Sequence, residues 1–144
     1  MQDMDCIFCR IVANLIPCKM IDQTPATLTF LDAFPLVPGH TIIIPKKHYS
    51  LLQDIPKEEN AALFEAVRQA SARVAKLAGA ALIAIHNGRE SGQEIPHVHV
   101  HLIPRKAGDG AGPVHSMFSS TAKMTDQQMD DICSKLSDAT PRGS

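Results

Sequence analysis

The chain has 144 residues, 14 basic and 15 acidic side chains, a formal net charge of −1 and 44% hydrophobic residues. That balance is that of a globular domain with its own core; it excludes a polybasic surface for duplex nucleic acid or anionic lipid, though not a local cationic pocket. With no Trp and one Tyr, an aromatic stacking platform for single strands is excluded as well. No apolar run nears the ~18 residues of a membrane span. The start Met1-Gln2-Asp3-Met4-Asp5 has neither the basic nor the apolar region of an export signal. The expectation is a cytoplasmic chain with no membrane or nucleic-acid polymer as partner, in which cysteines stay reduced. One domain is expected over 1–138, with 139–144 as a disordered tail.

In chain order, Cys6-Ile7-Phe8-Cys9 is a CxxC that reads as a metal or redox pair in a reducing compartment. Cys18 and Cys133 stand alone and read as small apolar residues. The spacing predicts strands at 26–32 and, between Pro38-Gly39 and Pro45, at 40–44. A long helix follows from Pro56 to Gly79, with Glu58 and Glu59 in its first turn. Leu63, Val67, Ala70, Val74 and Leu77 form its buried stripe. Further strands are predicted at 81–86, closed by Asn87-Gly88, and at 97–103, bounded by Pro96 and Pro104. Thr125 and Gln128 have capping-box spacing ahead of a short C-terminal helix. Strands, helix, strands, helix is not a βαβ alternation, so the fold class is α+β with a mostly antiparallel sheet.

The segment richest in chemistry is Gly92-Gln93-Glu94-Ile95-Pro96-His97-Val98-His99-Val100-His101. Alternate strand residues share a face and advance about 6.6 Å per pair. His97, His99 and His101 therefore make a row of imidazoles, while Val98, Val100 and Leu102 face the core. Seven histidines in 144 residues would give this triplet by chance only about 0.02 times, so packing does not account for it. Imidazoles titrating near neutrality suit metal binding, phosphate binding or nucleophilic catalysis. One reading is a metallo-hydrolase in which two or three rings hold a catalytic zinc. Its carboxylate would be Glu94 or Asp32, neither at a recognised spacing.

The His-φ-His-φ-His row resembles the histidine-triad (HIT) superfamily of nucleotidyl hydrolases and transferases. The likeness extends over residues ~5–105: Cys6-Ile7-Phe8-Cys9-Arg10-Ile11 with Ile16-Pro17, Phe30-Leu31-Asp32, Pro38-Gly39-His40-Thr41 running into Ile44-Pro45-Lys46-Lys47-His48, and Asn87-Gly88 with Gly92-Gln93. It is nearest to the Hint-like bacterial branch with a zinc pair. The resemblance implies a five-stranded sheet and a homodimer joining two sheets edge to edge. It implies His99 as the nucleophile on the α-phosphorus of a purine (AMP-like) nucleotide, forming a covalent nucleotidyl-histidine, with His101 hydrogen-bonding the phosphate oxygens. Gly92 and Gln93 would offer backbone amides to the phosphate, Asp32 the ribose acceptor, Asn87 a phosphate or ribose contact, and Ile7 and Phe8 the wall around the base. Cys6, Cys9, His48 and His97 would hold a structural zinc in a closed tetrahedral set.

From spacing alone, Asp32 is equally a turn residue, Asn87 an Asn-Gly turn, and Ile7 and Phe8 core. Glu94 stands where the Hint-type pattern often has Ser or Thr, which leaves the leaving group open. Nucleoside phosphoramidates, dinucleoside polyphosphates and nucleotidyl transfer all fit the same His99 chemistry. A nucleotide-binding regulatory protein with little turnover would carry the same residues. His40, His86 and His115 are read as structural or surface residues without a role.

Overall fold

The computed structural model describes residues 3–138, so the expected tail at 139–144 lies outside the described residues. The chain divides into two compact units, one ending at Ala107 and one beginning at Gly108. The first contains a helix α1 (Ile7–Val12), strands β1 (Met20–Gln23), β2 (Thr27–Leu31) and β3 (Thr41–Pro45), a long helix α2 (Lys57–Val74), and strands β4 (Ala80–Ile85) and β5 (Val100–Arg105). The five strands form one sheet in the order β1-β2-β3-β5-β4, and every pairing is antiparallel. The α+β class is therefore the one the strand order predicts. The fifth strand, β1, has no alternation to reveal it: Met-Ile-Asp-Gln is an exposed edge.

Period-2 alternation decides which side chains meet which helix. Ile43 of β3 with Val100 and Leu102 of β5 packs on Leu63, Ala66, Val67, Ala70 and Val74 of α2. On the opposite face, Leu28 and Phe30 of β2 with Ile42 and Ile44 of β3 pack on Phe8, Cys9 and Ile11 of α1. Both faces of the central strands are thus covered, and β3 is buried throughout. The register Ile42↔His101 and Ile43↔Val100 sends His101 to the α1 side and Val100 to the α2 side.

Two predicted elements differ at one end, α2 stopping early and β5 starting late. α2 stops at Val74, because Lys76 and Leu77 close onto Arg73 and Val74 with tighter i→i+3 bonds. That rotation leaves Leu77 61% exposed instead of in the stripe. β5 begins at Val100, not at His97. Continuing the ladder would set Val98 opposite Pro45, which has no N–H to give; Val98 N instead bonds Tyr49 O. The side-chain alternation nevertheless continues, with Val98 in the α2 core. Gly39, at φ +90°, turns the chain into β3; a Cβ there would stand 3.2 Å from Pro104 and 2.8 Å from Leu77.

The unit from Gly108 holds a short 3-10 turn, Val114–Met117, and helix α3 (Asp126–Asp138). The capping box forms as the spacing requires: Gln128 N donates to Thr125 Oγ1 and Thr125 N to Gln128 Oε1. Cys133 is exposed and Cys18 half-buried, so neither is a core residue.

Candidate active site and metal centre

The site is built where α1 lies over the end of β5. Phe8 is its hub: its ring meets His97 edge-on at 5.7 Å, His99 at 5.0 Å and Phe30 at 5.9 Å. The His99 and His101 rings are 5.0 Å apart. They open onto a cavity of about 650 Å³ walled by Ile7, Phe8, Ile11, Phe30, Ile42 and Asp32. A largely apolar cleft with a few imidazoles at one end is the form that holds a flat heterocycle and presents its polar end to chemistry.

Two of the three triad rings have their tautomer fixed by a backbone carbonyl. Nδ1 of His99 lies 2.8 Å from the His97 carbonyl; a carbonyl only accepts, so Nδ1 carries the proton and Nε2 keeps its lone pair. Burial pushes the His99 pKa down, which keeps that lone pair available near neutrality. His97 is fully buried, and its Nε2 donates to the Pro45 carbonyl at 2.8 Å. Its bare Nδ1 then faces Cys6 Sγ at 3.4 Å and Cys9 Sγ at 3.6 Å. Cys9 Sγ is 3.3 Å from Nδ1 of His48.

Those four donors are mutually within 4.8 Å. A tetrahedral ion with metal–sulfur bonds of about 2.3 Å and metal–nitrogen bonds of about 2.05 Å would set sulfur and nitrogen roughly 3.6 Å apart. The observed separations fit, and Cys6, Cys9, His48 and His97 could hold a metal ion. Cys6 caps α1 through its sulfur, accepting from Cys9 N, and burial raises its thiol pKa, with Cys9 beside it adding to the rise. Thiols held so close in a buried pocket are costly without a cation to stabilise the thiolate form.

The remaining residues divide. Asp32 reaches the cavity, and its Oδ1 also accepts from Phe34 N at 2.8 Å as a turn residue does. Gln93 is buried and spends its amide within the chain: Oε1 accepts from Gly88 N, and Nε2 donates to the carbonyls of Ser50 and Ile95. Asn87 lies outside the cavity and ties Leu52 and Gln53. Gly92, at φ +107°, backs onto the His86 ring, where a Cβ would stand 3.3 Å from Cδ2. Glu94 is exposed and belongs to neither group of possible metal donors among the described residues.

Two histidines with no role in the sequence reading belong here. His40 Nε2 is 3.0 Å from His101 Nδ1 and 3.5 Å from Asp32 Oδ2. The His86 ring is 5.4 Å from that of His101. The sequence signal for His40 was its place in Pro38-Gly39-His40-Thr41, directly after the turn into β3 and within the family likeness.

Burial and then the neighbours His99, His40 and His86 push the His101 pKa down to about 4, against the pull of Asp32. An unfolded chain takes up that proton near pH 6.5, so between these values it binds more protons than the folded one. Stability is therefore full above about pH 6.5 and falls as the solution is acidified towards pH 4. Denaturant midpoints between pH 7 and 4.5 should fall with acidification, and more gently for His101→Asn; identical slopes for the two proteins would contradict this.

Comparison with known proteins gives the family of this antiparallel sheet, with its histidine row beside a Cys₂His₂ donor set. The HIT domain profile matches residues 13–108, and the chain belongs to the HIT family. It is 41% identical over 106 residues to an uncharacterized HIT-like protein of Methanocaldococcus jannaschii, covering 73% of this chain and 82% of that one. It is 36% identical over 104 residues to the adenosine 5'-monophosphoramidase of Schizosaccharomyces pombe, covering 71% and 75%. A HIT family protein of Bacillus subtilis superposes with a TM-score of 0.85 at 29% identity, over 94% of this chain and 97% of the other. No helix among the described residues is long and apolar enough to cross a membrane.

Proposed function

We propose that this chain is a nucleotidyl hydrolase that cleaves nucleoside phosphoramidates or related nucleotides at the α-phosphorus through a covalent nucleotidyl-histidine. The observation that carries this is the His99 ring, protonated on Nδ1 by its bond to the His97 carbonyl and presenting a bare Nε2 at the cavity. Nε2 attacks the α-phosphorus; the N–P bond forms as the bond to the leaving group breaks. Water then attacks the same phosphorus, the N–P bond breaks, and a nucleoside monophosphate leaves with His99 restored. His101 hydrogen-bonds the phosphate oxygens as charge moves onto them. Ile7 and Phe8 enclose the base and Asp32 accepts from the ribose. The backbone amides of Gly92 and Gln93, expected to donate to the phosphate, are instead spent on the carbonyls of Arg89 and Gly88, so this loop shapes the site without donating to it. Asn87 acts through this loop, because its side chain is engaged with Leu52 and Gln53.

Cys6, Cys9, His48 and His97 hold zinc in this reading. Four protein ligands close the coordination sphere, so the ion supplies structure: it ties α1 and the end of β3 to the segment bearing His99. The metallo-hydrolase reading has less support: the four-donor set contains no carboxylate and no open position, and the second group of possible donors, Asp32, His40 and His101, includes one histidine of the row and not two or three. A homodimer is supported by β4, which among the described residues pairs only with β5 and leaves a six-residue edge with Ile83 exposed.

The test is product analysis over adenosine and guanosine phosphoramidates and two dinucleoside polyphosphates. Release of the nucleoside monophosphate from phosphoramidates is expected. Release only from the polyphosphates would move the leaving group to a second nucleotide, and binding without turnover of any would make the chain a nucleotide-binding regulatory protein.

A further inference from the structure

His40, Asp32 and His101 form the second group of possible metal donors among the described residues, and their separations of 3.0 and 3.5 Å would suit one. A hydrogen bond on the far side of His40 decides otherwise. Leu36 N donates to His40 Nδ1 at 3.1 Å, so that nitrogen must be bare and the proton of a neutral His40 must sit on Nε2. Burial lowers the His40 pKa, which favours the neutral ring. A metal at Nε2 would have to displace this proton while Nδ1 is already receiving one from the backbone. The cluster is built to hold a proton.

We infer that His40 is a positioning residue that donates Nε2–H to His101 Nδ1 and so fixes His101 as the Nε2–H tautomer, a donor towards the substrate phosphate. The opposite arrangement, His101 Nδ1–H donating to His40 Nε2, would move the His40 proton to Nδ1, where it would collide with the Leu36 N–H. Asp32 Oδ2, on the same Nε2 side, stabilises the donating form of His40. One backbone amide in the 32–40 turn thus selects, through two rings, whether the His101 nitrogen towards the cavity carries a proton. His99 and His101 become opposite in kind, the first with a bare nitrogen towards the substrate and the second with a protonated one. The inference rests on the hydrolase reading for its consequence in catalysis, but its tautomer content is independent of substrate.

The test is a long-range proton–nitrogen NMR spectrum of the zinc-loaded full chain at about pH 8, above the usual histidine range. His101 should carry its proton on Nε2, with Nδ1 bare. His40→Gln, whose amide N–H can replace Nε2–H, should preserve that pattern. His40→Leu should give a mixture of both His101 tautomers and lower kcat by roughly 100-fold with KM within about threefold. A wild-type His101 protonated on Nδ1, or an unchanged His101 tautomer in His40→Leu, overturns the inference even if the enzyme is active. If His40→Leu does not fold, the wild-type and His40→Gln spectra decide alone, loss of the Nε2–H pattern in His40→Gln counting against it. A second equivalent of zinc bound at this cluster would also overturn it.

Discussion

His99→Ala is expected to abolish the nucleotidyl adduct and lower kcat by at least about 10³-fold, with little change in folding. The size follows from the role: without the ring nitrogen, water must attack phosphorus directly, and the two-step route disappears entirely. Stability should change little because His99 is at the cavity wall: its Nδ1 bond is to the adjacent His97 carbonyl, and its ring packs only edge-on against Phe8 and His101. The measurement is intact-mass trapping with a slow adenylyl substrate, paired with steady-state turnover. An adduct of 99-substituted chain at another residue, or turnover equal to wild type, would remove His99 from the chemistry and restore the metal-centred reading.

Removal of the metal is the second large effect, and it should appear in stability first. A site with free zinc at about a thousandfold over its Kd contributes about 4 kcal/mol to the folded state. For a domain of this size that is roughly a 10 °C fall in Tm on chelation. Cys9→Ser should show a similar fall and lose its response to chelator. The cause is local: Cys6 and Cys9 anchor α1, His48 follows β3, and His97 sits two residues before His99. Without the ion, two buried thiols, the buried His97 ring and the half-buried His48 ring lose their common partner. Turnover per folded molecule should change much less than Tm. Immediate loss of turnover in a chain whose Tm is unaltered would reverse the assignment and make the metal catalytic.

The two effects separate because the chain gives adjacent histidines on one face different backbone partners. His97 gives its Nε2 proton to Pro45 and keeps Nδ1 for sulfur. His99 gives its Nδ1 proton to His97 and keeps Nε2 for the cavity. Two residues apart, the same side chain thus faces the Cys₂His₂ donor set in one case and the cavity in the other. Phe8 packs on both rings and links the two sites mechanically.

Local pattern was enough for the large elements. The β-branched run Thr41-Ile42-Ile43-Ile44 could hardly be anything but a buried strand, and Val98, Val100 and Leu102 announced which side of the histidine row faces the core. The Thr125 and Gln128 pair marked a helix start because a capping box is complete within four residues. The same reading overran at Leu77 and at His97, where the ends depend on partners: a tightened turn in the first case, and a proline opposite in the second.

What the linear order of residues determined by itself was the list of reactive groups and their alternation, because spacing along a strand fixes which side chains share a face. It could also nominate Cys6, Cys9, His48 and His97 together, though only through family likeness. Which nitrogen of His97 and of His101 bears the proton was decided by tertiary structure, whereas His99 takes its tautomer from a carbonyl two residues earlier. His40 and His101 are 61 residues apart and meet because β3 and β5 are neighbours in register; the tautomer then follows from the Leu36 amide. Hydrogen bonds between rings are set by angles and distances that no residue pattern encodes, so His40 read as a structural or surface residue without a role until the strands were brought together.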